Sequence, residues 1–476
     1  MLASMRKIFT RWGNVPLILL LLAGVTLGAR QSSLTLATVD PNNLNELSLA
    51  GYHRLLVLAP HCDDETLGTG GLIQAAERAG IQVRVVIATN GDGYFFATAQ
   101  NFRKVYPHRQ DYIRMGEMRQ RESLAALAVL GVQPGQVSFL SYPDRGSPSM
   151  WYDNWSPDHP YRSPYSSYSK SPYPLTYDPK SVYAGADYLA DLETIITDFR
   201  PDLIVYPHPE DVHPDHWGLS VFTRLAITLI HHNDPTYRPT EYTYLVHRPD
   251  FPVIRGYQPQ ESLTPPPALF KINPDWYRLD LTSQEVGLKD KAVTKYRSQL
   301  PLLRKLMESF IRQNELFAPV ADAVLPDLTQ GSPSDPSTWI DGTGSAIRPI
   351  QLDPVDDILT HNAIPATDLV GVYVAREASG NLLACSEVRE ETVAEITYAI
   401  RLKALTDKGI VAYSAETGEP QAGWHLAKRS GVYACISVSL SELGDPWAIF
   451  VGAATEGLDR ITLDQSAWQM VVIGGE

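Results

Sequence analysis

The stretch Arg54-Leu55-Leu56-Val57-Leu58-Ala59-Pro60-His61-Cys62-Asp63-Asp64-Glu65-Thr66 decides how the chain is read. Its first half is apolar without alternation, the pattern of a strand buried on both faces of a parallel sheet. Its second half is a polar cluster at that strand's carboxyl end. Val83–Ala88, Val137–Leu140 and Leu203–Tyr206 repeat the short apolar run. Between them lie amphipathic patterns that predict helices over about Thr69–Ala79, Met115–Leu130 (stopped by Gly131), Ala184–Arg200 and Trp217–Ile230. Strands alternating with helices imply an α/β body with a Rossmann-like parallel sheet and helices on both faces.

Around this body the chain changes character. Arg6, Lys7 and Arg11 precede an apolar run from Val15 to Ala29, short of the roughly 20 residues that span a bilayer. Residues 1–30 are therefore expected to be a signal peptide or an N-terminal membrane anchor. That reading sets the body outside the cytoplasm: periplasmic, secreted or held to the membrane by this segment. A body over 50–325 is followed by a Pro/Gly/Ser/Asp-rich stretch, 326–354, that reads as a linker. Residues 355–476 contain six strand-like segments, Val393–Leu402 among them, and predict a β-rich domain. Glu285–Phe317 carries a long amphipathic helical pattern interrupted by Pro301.

Composition narrows the function. With 40 Lys and Arg against 54 Asp and Glu, the net charge is −14, which opposes general nucleic-acid binding. Three cysteines exclude a disulfide scaffold and a Cys-rich zinc module. Export would expose Cys385 and Cys435 to an oxidising compartment, which predicts a disulfide between them, two buried thiols being the alternative.

The second chemical cluster is His208-Pro209-Glu210-Asp211-Val212-His213-Pro214-Asp215-His216, after Leu203–Tyr206. In a doubly wound sheet, ligands sit beyond the carboxyl ends of the strands where strand order reverses. If these two strands are neighbours there, the two loops face each other. His61, Asp64 and His216 then supply three imidazole and carboxylate ligands of an open zinc site, the fourth position being left to water. Asp63 falls between two ligands and suits a general base; His213 can face a polarised carbonyl or a leaving amine. Either loop alone is commonly a turn or a helix cap, whereas two on one parallel sheet are not. A long aromatic insertion, Pro143–Tyr183, also starts at a strand end, and Trp151 and Trp155 within it are candidate substrate-binding residues of a lid, the alternative being an ordered surface loop that packs its rings on the body.

These residues resemble the PIG-L/LmbE-like zinc-dependent de-N-acetylases, whose hallmark is a His-Pro-Asp-Asp-Glu loop and a later His-Pro-Asp-His. The resemblance covers about His53 to Phe317, including Thr89-Asn90-Gly91-Asp92-Gly93 and Arg119-Gln120-Arg121-Glu122. It implies removal of acetyl from an N-acetylglucosamine-type amino sugar on a glycan or glycoconjugate, so a carbohydrate or glycolipid partner. It implies Zn2+ on His61, Asp64 and His216, with Asp63 as base. It also implies His213 on the oxyanion, Asp215 orienting His213, and Arg119 and Asp92 at the substrate. Cys62 departs from the family's proline. A glycan-binding protein that no longer catalyses and an amidase for another acylamide are the alternatives.

Overall fold

The computed structural model describes residues 39–340, 347–354, 363–418 and 425–474. The N-terminal apolar run, and the signal or anchor read from it, lie outside these residues. Strand β2 (Arg54–Ala59) runs parallel between β3 (Gln82–Thr89) and β5 (Leu203–Pro207), with β4 (Val137–Tyr142) beyond β3 and β6 (Thr240–Tyr244) beyond β5. Strand order therefore reverses between β2 and β5, and the two His/Asp loops leave neighbouring strands at that reversal. Beyond β6 the sheet continues with antiparallel β8 (Asn314–Pro319), then β7 (Tyr277–Asp280) and β1 (Asn45–Glu46).

The unbroken apolar runs are explained by burial on both faces. Leu55, Val57, Val85 and Ile87 pack beneath α1 (Asp64–Arg78), α2 (Arg109–Leu130) and α5 (Ser283–Val293). Leu56, Leu58, Val86 and Ile204 face the opposite way, toward α3 (Gly185–Phe199) and α4 (Pro214–Asn233). Helix α1 lies close on the sheet because Gly68 has no side chain: a Cβ there would meet the Tyr244 ring at 2.2 Å.

The structure moves several boundaries. Helices α1 and α4 begin at Asp64 and Pro214, earlier than expected, which puts Asp64 and His216 in first helical turns. The pattern over Glu285–Phe317 yields α5 and α6 (Leu300–Glu308), and its tail becomes β8. Pro301 sits in the first turn of α6, where its missing N–H is harmless, so the break precedes it. Glu315 on β8 is buried but satisfied: it accepts from Gly71 N at 2.7 Å, Leu72 N at 2.8 Å and the Lys289 ammonium at 2.6 Å.

The C-terminal region folds as two sheets, β10-β11-β12-β17-β16, the last strand being Lys428–Ser430, and β15 (His425–Leu426), β14 (Gly409–Glu416), β13, β18 (Ala448–Glu456), β20 (Gln469–Val472) and β9 (Ala323–Val324), with β19 (Thr462–Gln465) on β18. They share a core, with Val372, Val374, Leu382 and Ala384 on one side and Ile400, Leu402, Ala404 and Val451 on the other, so the region is a sandwich. The expected strand over Val393–Leu402 lies at Thr397–Thr406 (β13), and β12 (Asn381–Val388) had no alternation to reveal it. Both faces of β12 are covered, Leu382 and Ala384 by the facing sheet, Leu383 and Cys385 by Trp339 and Ile340. The composition-based linker is thus corrected: in its described part, Trp339 and Ile340 are buried and β10 (Gln351–Leu352) pairs with β11 (Leu369–Arg376). Cys385 and Cys435 stand opposite each other on β12 and β17 (Tyr433–Ser439) and form a disulfide with Cα atoms 4.1 Å apart.

Candidate active site

The loops after β2 and β5 bring His61, Asp64 and His216 into contact, all buried. His61 Nδ1 is 3.1 Å from Asp64 Oδ2, His216 Nε2 is 3.0 Å from the same oxygen, and the two ring nitrogens are 3.3 Å apart. Donors held about 2 Å from a tetrahedral ion stand about 3.3 Å from one another, so this triangle fits a zinc-sized cation with one position open. Asp64 Oδ1 is buried without a hydrogen-bond partner among the described residues. His247, at the end of the next strand, brings Nε2 to 3.9 Å from Asp64 Oδ1.

A second group surrounds the far side of the His61 ring. His61 Nε2 lies 3.2 Å from Asp215 Oδ2 and 3.5 Å from Asp144 Oδ1, with His213 adjoining. Asp215 is less available to an ion, because it accepts from Arg145 N at 2.6 Å and from the Ser147 hydroxyl at 2.8 Å. Asp211 steadies His216: its Oδ2 sits 2.9 Å from His216 Nδ1 and accepts from His247 N at 2.8 Å. A carboxylate on the outer nitrogen of an imidazole fixes which nitrogen faces the metal.

The electrostatics call for a cation. Burial alone would lower the pKa of both imidazoles. Asp144, Asp215 and Asp64 nevertheless raise His61 well above the usual histidine value, and Asp211 and Asp64 raise His216 to about 9. Burial would raise Asp64, but His216 and His61 hold it well below the carboxylate range. Crowded carboxylates thus draw protons to the positions a metal ion would occupy. His213 differs: burial, then the neighbouring His61, His216 and His247, keep it well below its ordinary value and so neutral. Its Nδ1 accepts from Asp215 N at 3.3 Å, which leaves the proton on Nε2.

Asp63 precedes α1 and points its carboxylate at Arg119, whose Nη2 donates to Asp63 Oδ1 at 3.1 Å. Burial lifts Asp63 to about 6, and Arg119 limits the rise. The same guanidinium donates to Gly91 O at 2.7 Å and Cys62 O at 3.1 Å. Gly91 is required twice over, since its φ is +58° and a Cβ would sit 1.8 Å from Arg119 Nη1. Glu65 locks the loop from below, accepting from Asp63 N at 2.9 Å, Tyr296 OH at 2.8 Å and the Ser123 hydroxyl.

Four expectations change. Arg119, expected at the substrate, spends its hydrogen bonds inside the protein, on Asp63, Gly91 and Cys62. Asp92 is buried, lifted to about 7 by burial and by nearby Asp144, and its carboxylate accepts from Tyr173 OH at 2.6 Å instead of facing a ligand. Asp215 does not orient His213 through its carboxylate, which lies 4.0 Å from Nδ1; the backbone N–H makes that bond. Trp151 is fully buried against Phe222, Phe450 and Trp468, and Trp155 stacks on Phe222 with the Lys403 ammonium 4.2 Å from its ring centre. Neither tryptophan has a free face for a sugar. Sequence reasoning missed Asp144 and His247, single residues after β4 and β6 with no local motif, and left Asp211 without a role inside a quoted motif.

Residues 56–227, which include His61, Asp63, Asp64, His213, Asp215 and His216, match the PIG-L family model, described as GlcNAc-PI de-N-acetylase. Two 1D-myo-inositol 2-acetamido-2-deoxy-alpha-D-glucopyranoside deacetylases, from Mycobacterium sp. strains KMS and JLS, are 34% identical over 199 residues, 41% of this chain and 56% of each relative. The chain thus spans about half the length of the curated relatives it matches. Among solved structures, the N,N'-diacetylchitobiose deacetylase from Pyrococcus horikoshii is similar at 17% identity and a TM-score of 0.36, over 57% of this chain and 84% of that one. A deacetylase of the teicoplanin pathway is similar at 19% identity and a TM-score of 0.35, over 56% and 98%.

Proposed function

We propose, on the match of residues 56–227 to the PIG-L family model, that the chain is a zinc-dependent deacetylase hydrolysing the acetamide of an N-acetylglucosamine-type amino sugar. The observation that carries this reading is the buried triangle of His61, Asp64 and His216, with edges of 3.0 to 3.3 Å and a neighbouring base. Bound there, zinc would supply Lewis acidity toward a carbonyl oxygen and lower the pKa of water.

The chain's own groups divide the remaining work. Asp63, held through one oxygen by Arg119, accepts the proton of the attacking water as the acetyl carbon becomes tetrahedral. His213, neutral and protonated on Nε2, donates to the developing oxyanion. Because His213 carries no extra proton, Asp63 returns the proton it took to the departing amine, and a raised pKa suits it to both tasks. Asp144 and Asp215 hold the His61 ring between them.

The extracytoplasmic placement is retained as part of the proposal. It is supported by the basic-flanked apolar run Val15–Ala29 and by the Cys385–Cys435 disulfide, a bond that persists in oxidising compartments. The test of the whole reading pairs metal analysis of purified protein with acetate release from a panel of N-acetylated sugars and conjugates. Acetate release that falls on chelation and returns with zinc supports it; a zinc-loaded protein that releases none from any N-acetylglucosamine conjugate overturns it.

A further inference from the structure

Exposed apolar side chains are unevenly distributed over this protein. Among the described residues eighteen large hydrophobic side chains are exposed, and eight of them lie in three neighbouring segments. Phe95, Phe96, Val105 and Tyr106 follow β3, the last two exposed by 78% and 72%. Val253, Ile254 and Tyr257 follow β6, the first two exposed by 66% and 65%, and Leu302 is on α6. Asn101 Nδ2 donates to Ser298 O at 2.9 Å, tying the first segment to the start of α6. Gly256 N donates to Ser309 Oγ at 2.7 Å, tying the second to its end. A helix of nine residues is about 13 Å long, so the three form one continuous rim.

Topology sets this rim on the catalytic side. The loops after β3 and β6 leave the carboxyl ends of parallel strands, as the metal loops do. Helix α6 leads into β8, whose first residue lies beyond the carboxyl end of antiparallel β6. His247 is only six residues before Val253, and Asp92 three before Phe95.

The rim is also basic in an acidic protein. Arg103, Lys104, Arg255, Arg304 and Lys305 are exposed on the same three segments. Among the described residues Arg103, Lys104, Arg255 and Lys305 pair with no carboxylate, while Arg304 pairs with Glu308 at 3.0 Å and Asp290 accepts from Tyr257 OH at 3.0 Å. Exposed apolar side chains interleaved with unpaired cations match the interface of an anionic bilayer, where rings enter the headgroup layer and each Lys or Arg adds on the order of fivefold to partitioning. A second copy of the chain would bring like charge against like.

We propose that the rim formed by residues 95–106, 253–257 and α6 docks the open side of the active site onto an anionic phospholipid surface. Amide groups on lipid-linked or membrane-proximal sugars would then reach the site without leaving the interface. The contact depends on surface chemistry and not on turnover, so it can fail or hold independently of the deacetylase reading.

The test uses the full chain with Ile254→Cys or Val105→Cys, labelled with an environment-sensitive dye; Cys62 is buried and the other two cysteines are bonded. Vesicles of phosphatidylcholine containing phosphatidylglycerol should brighten and blue-shift either label severalfold, vesicles of phosphatidylcholine alone much less, and high salt should weaken the response. Adding Lys104→Glu with Lys305→Glu should reduce apparent affinity at least about tenfold. A label at Val411→Cys on the β sandwich should stay dark even when the N-terminal segment tethers the protein. Equal responses at 254 and 411, silence at 254 and 105 on bound protein, or a lipid-free shift that grows with protein concentration would each overturn the proposal.

Discussion

The insertion 143–183 feeds two buried clusters made of opposite materials. At its start Asp144 and the backbone N–H of Arg145 join the candidate site, where carboxylates and imidazoles crowd together and, among the described residues, the acceptor Asp64 Oδ1 is left unpaired. A few residues later Trp151, Tyr152 and Trp155 enter the seam with the β sandwich, where rings interlock, the Lys403 ammonium lies over two indoles and the Arg401 guanidinium lies over the Tyr152 ring. A buried polar cluster of this kind lowers stability in exchange for chemistry. An aromatic seam does the reverse. Substitutions at the two should therefore separate turnover from stability.

The largest separation is expected at the loop after β2. Asp63→Asn should leave metal content near wild type while kcat falls about 10²–10⁴-fold, the usual worth of a positioned base. Asp64→Ala should lose metal and activity together. Metal analysis with steady-state kinetics checks both; Asp63→Asn that loses its metal would merge roles here kept apart.

At the seam the comparison inverts. Trp151→Ala should cost about 3–5 kcal/mol in denaturant unfolding, the range for a large buried aromatic. Metal content and turnover of a small soluble substrate, measured well below the melting temperature, should hardly change. Altered kinetics at unaltered stability would return Trp151 to the role of a substrate residue.

Asp211→Asn should fall between these extremes. It removes a carboxylate that orients His216, a change worth about 10–100-fold in metal affinity. Competition with a chelator measures it, and an unchanged affinity would leave Asp211 a structural hub for the loop only.

The smallest effect is a pH dependence at the seam. Burial lowers Lys403 to about 8, against roughly 10.4 in an unfolded chain. Below pH 8 both states are protonated and the burial penalty is constant. Between about 8 and 10.4 the unfolded chain binds more protons, so stability rises with pH. Lys403→Met should abolish that rise, which is about 2 kcal/mol at most once the indole faces are allowed for. Unfolding curves for both proteins at neutral and alkaline pH give the difference, and parallel curves would show that the ammonium stays charged.

The same contrast explains what could be read from the chain alone. Strands β2, β3 and β5 were legible because burial on both faces leaves an unbroken apolar run. The ligand loops were legible because His, Asp and Pro concentrate at the ends of those runs. Asp144 and His247 were not, since each is a lone residue whose partners come from other strands. Arg119 is assigned to the substrate only by the family resemblance, a solvated helix arginine being the plain alternative, whereas here Gly91 clears space for its guanidinium. The tryptophans were misread for a related reason. In a Pro- and Ser-rich stretch they resemble an exposed lid, and nothing local announces the second body that buries them. Pro301 misled in the opposite sense, because a proline that seems to break a helix can equally begin one.

Tyr152 OH accepts a hydrogen bond from Trp468 Nε1 at 3.0 Å, and a single apolar core runs from Phe222 and Trp151 into Phe450 and Met470. This has a consequence for how such a protein is inherited and handled. An appended module joined by a tether can be gained, lost or exchanged between lineages as a unit. Here the α/β body carries a segment packed into its appendage, so neither can be exchanged without rewriting the other's face. A fragment trimmed to the matched family region would strip Phe450, Trp468 and Lys403 from Trp151 and Trp155, exposing a sticky patch that favours precipitation. Any minimal enzyme cut from this chain needs its indoles rewritten along with its boundaries.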